Sequence, residues 1–303
     1  SMPFVEADRS LPVQTNRADL PPRAVDPGTG RLEFAWTRSR TVLRRSFATS
    51  PLKILSPRRN QGRLRSPASA GQAAAWAYLA SYGGGLVGGD AIHVTLDVQP
   101  RARAVVLTQS STKVYRSGLP ASQCLTGQVD DEALLVVAPD PTVCFAGSTF
   151  RQVHCYKVTM GGSLVLLDWM TCGRLAMGER WAFDGYASRL ELWRAQRRVL
   201  YDATVLRPDD GPIAERMGRF NIWGTLVMVG PLVREMAAEI VVRTGELPVE
   251  PSRDVIISAS RLTPDGALLR VAGESVEKIR TILRTHMGFL RPLLGDEVWD
   301  RKW

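Results

Sequence analysis

Gly83, Gly85 and Gly88, in the stretch SYGGGLVGGD (81–90), are spaced as G-x-G-x-x-G, the pattern that cradles a pyrophosphate in dinucleotide-binding folds. That chemistry needs a strand before the glycines and a helix after them. The free N–H groups and positive dipole end of that helix are what hold the anion. Here the order is reversed. The alanine-rich GQAAAWAYLAS ahead of the glycines predicts a helix. Behind them Ile92, Val94, Leu96 and Val98 alternate with His93, Thr95, Asp97 and Gln99, the period of a half-buried strand. The glycines therefore predict a tight turn feeding a sheet and pinned by Asp90, not a nucleotide site.

Other chemistries find little support. The chain has three histidines, and no H-E-x-x-H, G-x-S-x-G or Walker loop accompanies them. His154 and Cys155 are neighbours on a predicted strand, so their side chains point to opposite faces and do not share a metal. The four cysteines (Cys124, Cys144, Cys155, Cys172) form no C-x-x-C, which argues against zinc and leaves them as small core residues. What remains is a set of polar residues punctuating the middle of the chain. These are Asp90, TQSSTKVYRS (108–117), PDP (139–141) and DWMTCGRLAMGERWAF (168–183). In the last, Gly173 and Gly178 flank Arg174, with Glu179 next. Two readings stand: Arg174 and Glu179 form an internal ion pair while Asp90 satisfies turn N–H groups, or these polar groups have a function.

The elements that must position them are short. From Arg31 onward, runs such as AIHVTLDV, RAVVLTQ, ALLVVAP, SLVLLDW and RVLYDATVL are cut by turn signals, which predicts a mainly β fold of antiparallel strands. Two helices are predicted in the C-terminal third. PLVREMAAEIVVRTGE has Gly245 as its stop, and VEKIRTILRTHMGFLRPLL is capped by Ser275 with Val276, Ile279, Leu283 and Met287 on one face. Residues 1–29 read as irregular. Without a linker or repeat, residues 30–303 read as a single domain.

Of the 303 residues, 45% are hydrophobic, enough for a sizeable core, and no run reaches a membrane-spanning length. The N-terminus lacks a signal pattern, so a cytoplasmic protein is expected. Net charge is +9, of which +8 falls in residues 1–67. The arginines there are scattered along strands without a nucleic-acid motif, which favours an acidic protein partner over DNA or RNA.

The segments SPLKILSP (50–57), SYGGGLVGGD (81–90), LTQSSTKVYRS (107–117), ALLVVAPDPTVCFAGSTFRQ (133–152) and DWMTCGRLAMGERWAF (168–183), in this order, resemble the urease accessory D family, called H in some organisms. The resemblance covers roughly residues 30–200 and loosens beyond Asp202. It implies stacked sheets coiling in a helicoid manner, and two helices that help bind a partner. It also implies a non-enzymatic maturation factor without a tightly bound cofactor. Such a factor works with accessory proteins F and G, the latter a GTPase, and docks on apo-urease to help load nickel. A homodimer within that complex and a water-filled tunnel for nickel belong to the same picture; nucleic acid and membrane do not.

Carried over by motif, Asp90, Asp140 and Glu179 become expected transient nickel donors. Ser110, Thr112, Lys113 and Arg174 become expected tunnel or motif positions. Lys113, with Tyr115 and Arg116, is equally open to an interface or packing role. The residue inventory is compatible with passage: isolated carboxylates and hydroxyls hold Ni²⁺ weakly, whereas imidazole and thiolate cages grip it. The alternative from composition is a basic module for nucleic acid or an acidic protein, with no part in metal transfer.

Overall fold

Two kinds of apolar run become two kinds of strand. Ala91–Val98 buries every second residue, whereas Leu134–Val137 is buried throughout and Ser163–Thr171 nearly so. Alternation suits a sheet with one wet face, and continuous burial suits a sheet covered on both. The computed structural model describes residues 26–57, 73–248, 250 and 252–299, and in it these are two sheets packed face to face. Helices cover the far side of the second sheet.

The chain starts in the first sheet as β1 (Thr29–Thr37) and β2 (Arg40–Ala48), then crosses to the second as β3 (Leu52–Leu55) and β4 (Ala75–Ser81). It then alternates. β5 (Ala91–Val98) lies in the first sheet and β6 (Arg103–Thr108) in the second, followed by the short rim strand β7 (Thr112–Val114). β8 (Ala121–Val129) and β9 (Leu134–Val137) repeat the crossing, with β10 (Thr142–Cys144) at the rim. β11 (Thr149–Val158), β12 (Ser163–Thr171) and β13 (Gly185–Arg194) repeat it again. β14 (Arg197–Leu206) closes the first sheet. After the short α1 (Ile213–Met217), β15 (Ile222–Val229) joins the second sheet. α2 (Arg234–Gly245) leads to β16 (Val255–Thr263) and β17 (Gly266–Gly273), which complete it, and α3 (Val276–Met287) and α4 (Leu290–Leu294) follow.

The mainly β expectation holds, with one correction: the central pairings are parallel. β1–β5–β8–β11–β13 are parallel neighbours in one sheet, and β4–β6–β9–β12 in the other. Antiparallel pairs occupy the margins, as in β1–β2, β13–β14 and β16–β17. A parallel pair needs a crossover, and here each crossover is a strand of the opposite sheet instead of a helix. The chain therefore coils. Strands beginning at 91, 121 and 149 are structural repeats with no matching sequence repeat.

GQAAAWAYLAS is corrected too. Its described part is β4, paired parallel with β6 and antiparallel with β3, with Trp76, Ala77 and Tyr78 buried. Pairing and burial on both faces override alanine's helical preference. α2 ends at Gly245 as predicted, and the Ser275 hydroxyl accepts from Lys278 N–H at 3.4 Å to cap α3. Ile279, Leu283 and Met287 seat α3 on the second sheet. No helix among the described residues is long and apolar enough to cross a membrane. The irregular segment expected at the N-terminus lies, up to residue 25, outside the described residues, as does part of the basic stretch.

The coil has two unlike edges. Within the repeating coil, passing from the first sheet to the second takes four residues, at 99–102, 130–133 and 159–162. Passing back takes the longer loops 82–90, 109–120, 138–148 and 172–184, which contain the motif residues singled out in the sequence.

Candidate functional site between the two sheets

The four long loops stack on one another in chain order. Leu86 N–H donates to Lys113 O at 2.7 Å, and Tyr115 N–H returns a bond to Leu86 O at 2.9 Å. Phe145 N–H reaches Val114 O at 3.0 Å, and Gly147 N–H reaches Ala182 O at 3.0 Å. This stacking accounts for the glycines. A Cβ on Gly88 would stand 2.0 Å from Ser117 Oγ and 2.4 Å from Leu119 O, so the next loop leaves no room for one. Gly83 and Gly84 turn the chain with φ of +81° and +74°. Asp90 pins the turn as expected: its Oδ2 accepts from Val87 N–H at 2.9 Å.

Beneath the loops, two adjoining cavities run inward between the sheets. The outer one, about 70 Å³, is lined by Ser81, Gly84 and Leu86 and by residues 109–112. The inner one, about 20 Å³, is lined by Thr142, Gln152, His154 and Asp168 among others. Leu79, Thr108, Thr112 and Gln123 line both. Since a water occupies about 10–15 Å³ on this measure, the inner space holds one water-sized species and the outer several.

At the inner end, a polar cluster interrupts the core. Asp168 is the one partly exposed residue of β12. Gln152 Nε2 donates to both of its oxygens at 2.8 Å and lies 3.0 Å from Tyr186 Oη and Ser188 Oγ. Ser188 Oγ adds a bond to Asp168 Oδ2 at 3.3 Å. From β11, buried His154 places Nδ1 3.2 Å from Tyr156 Oη. Burial pushes the His154 pKa below the usual imidazole value, against the opposing pull of Asp168, so the ring is neutral near pH 7. Burial, reinforced by Asp168, holds the Tyr156 and Tyr186 phenols well above their usual range.

The sequence-predicted residues are distributed around this channel. Thr112 lines both cavities and Ser110 the outer one. Asp140 stands beside the channel, its N–H donating to Thr108 Oγ1 at 2.8 Å. Asp90 lies in the first loop, and Lys113 is exposed on the second. Arg174 and Glu179 do form an ion pair, but at the loop surface and not internally. Arg174 Nε donates to Glu179 Oε2 at 2.9 Å, and its guanidinium covers the Phe145 ring at 4.1 Å. Ala146 N–H also donates to Oε2, at 3.1 Å. The Arg174 hydrogen bond, then the Ala146 amide, hold the Glu179 carboxyl below its usual pKa.

Sequence reasoning missed Asp168, His154, Gln152, Tyr186 and Ser188. A signal existed for the first: Asp168 is the sole acid in the apolar run SLVLLDWMT. His154 and Cys155 do face opposite ways, as expected, but the acid near His154 comes from the other sheet. Cys144 and Cys172 are buried, Cys124 and Cys155 half-buried, and all four are free thiols. Burial raises the Cys144 thiol to about 12, so it is inert near neutral pH. No group of three His, Cys, Asp or Glu among the described residues is placed to hold a metal ion.

Comparison with known proteins extends the resemblance to most of the chain. The family described as UreD urease accessory protein matches residues 26–303, beyond the point where the motif likeness loosens. The chain is 46% identical to a urease accessory protein UreD of Sorangium cellulosum, over 93% of this chain and 86% of the relative. It is 40% identical to a urease accessory protein UreD of Anaeromyxobacter sp., over 90% of this chain and 89% of the relative. A urease accessory protein D of Arabidopsis thaliana is 31% identical over 88% of this chain and 98% of its own length.

Proposed function

The chain belongs to the UreD urease accessory protein family, whose role is in urease maturation, and on that premise we propose that it passes nickel between its two sheets to apo-urease. It acts as a non-catalytic scaffold in the cytoplasm, docked on apo-urease together with accessory proteins F and G, of which G hydrolyses GTP. Nickel is the cargo and not a resident cofactor.

The observation that carries the reading is that two cavities adjoin between the sheets, sharing Thr108 and Thr112 in their linings, one beneath the stacked loops and the other reaching Asp168. Hydroxyl, amide and carboxylate oxygens line that course. Such donors bind Ni²⁺ loosely enough for release, as any conducting path requires. Asp90, Asp140 and Glu179, on the loops at that edge, are the carboxylates proposed to receive the ion first. Glu179 then exchanges Arg174 for it.

The test is co-expression with accessory proteins F and G and apo-urease from a related operon. The expected outcome is that the chain co-purifies with them and raises nickel-dependent urea hydrolysis. Glu179→Ala should leave assembly intact while activation falls several-fold. A chain that neither co-purifies nor activates removes the proposal.

A further inference from the structure

A carboxylate placed between packed sheets is costly unless a cation answers it. Asp168 has no such answer. Its hydrogen-bond partners, Gln152 and Ser188, are neutral, and no Lys or Arg among the described residues forms an ion pair with it.

His154 is only 3% exposed, yet it lines the same inner cavity as Asp168. Its hydrogen bond is made by Nδ1, to Tyr156, and Nε2 has no hydrogen-bond partner among the described residues. With the proton on Nδ1 and donated to Tyr156 Oη, Nε2 presents a free lone pair. A metal-ligating imidazole has this arrangement: one nitrogen orients the ring and the other binds. Gln152 does the same for the carboxylate: with Ser188 also donating to Oδ2, it holds the group by its amide while Oδ1 keeps a second lone pair.

We infer that Asp168 and His154 form a two-donor station for a divalent first-row transition metal ion at the inner end of the cavity. The site deepens the reading that nickel passes between the sheets, and rests on it. One nitrogen and one carboxylate leave the remaining coordination positions to water and to the hydroxyls of Thr108, Thr112 and Thr142, all of which line the same space. The imidazole selects late transition metals over Mg²⁺ and Ca²⁺, and the incomplete shell keeps the ion exchangeable. Tyr156 and Gln152 are positioning residues, which set the ring and the carboxylate without touching the ion.

The experiment titrates Co²⁺ and Ni²⁺ into the full chain, purified with its accessory partners, and reads affinity by calorimetry and coordination by visible Co²⁺ absorption. The wild type should take up one Co²⁺ per chain with bands of mixed nitrogen and oxygen ligation. Asp168→Asn and His154→Gln should each weaken binding by about tenfold or more and remove those bands. Tyr156→Phe, which keeps both donors, should weaken it less and alter the bands. It decides the matter should Asp168→Asn fail to fold. No Co²⁺ uptake by the wild type, or three variants binding as the wild type does, overturns the station. Lost metal binding with full urease activation keeps the station and overturns instead the reading of nickel transit.

Discussion

The two edges of the coil do different work with the same strands. At the tight edge, three four-residue turns stack closely: Arg101 N–H donates to Asp131 O and Glu132 N–H to Gly161 O, each at 3.0 Å. Arg101 and Glu132 accept left-handed backbone there, with φ of +66° and +58°. The buried Arg194 ties this edge to the β16–β17 turn, bonding Gly162 O, Met160 O and Asp265. At the loop edge the connections are two to three times longer, and their tips carry exposed Tyr82, Val87, Leu119, Leu175 and Met177. One edge fixes register and the other, held on that frame, is free to carry polar chemistry and apolar contacts.

The sharpest way to break the comparison is at the tight edge. Arg194→Ala leaves Asp265 and two carbonyls without their cation, and should cost about 3 kcal/mol in urea unfolding. Metal binding by whatever remains folded should not change. Gly88→Val drives a side chain into Ser117 and the Leu119 carbonyl, and should cost about 2 kcal/mol. Hydrogen exchange should then accelerate in the loops 82–90 and 109–120 and not in the four-residue turns; uniform acceleration would dissolve the distinction between the edges.

The smallest effect concerns His154, in the interior that both edges enclose. Its native pKa is depressed, so on acidification the unfolded chain takes up a proton that the native chain refuses. Stability therefore falls as pH drops below the usual imidazole value of about 6.5, by up to ~1.4 kcal/mol per pH unit, until the native pKa is reached. His154→Gln should flatten that acid limb relative to the wild type. His286, also depressed by burial, keeps its own share in both proteins.

Much of this was legible in the sequence. Alternating and continuous apolar runs identified strands, and Ser275 and Gly245 marked helix boundaries. Gly173 and Gly178 around Arg174 pointed to its ion pair with Glu179. β4 was not legible, because alanine's local preference says nothing of the strand it will lie against. Parallel pairing was hidden for a related reason: each strand's parallel partner is two to four strands further along the sequence, so turn signals suggest hairpins that do not form. The polar cluster was hidden because His154 and Asp168 come from opposite sheets. Their only local trace was one acid in an apolar strand.

The coiled connectivity also governs how the chain reaches this state. No central strand can find its mate by doubling back, since every parallel neighbour is separated from it by an excursion through the other sheet. Such non-local pairing makes folding slow, as for other chains dominated by it. Until β14 folds back onto β13, the growing rim shows unpaired amides and carbonyls and is adhesive to other chains. Synthesis beside a binding partner would shorten that exposure.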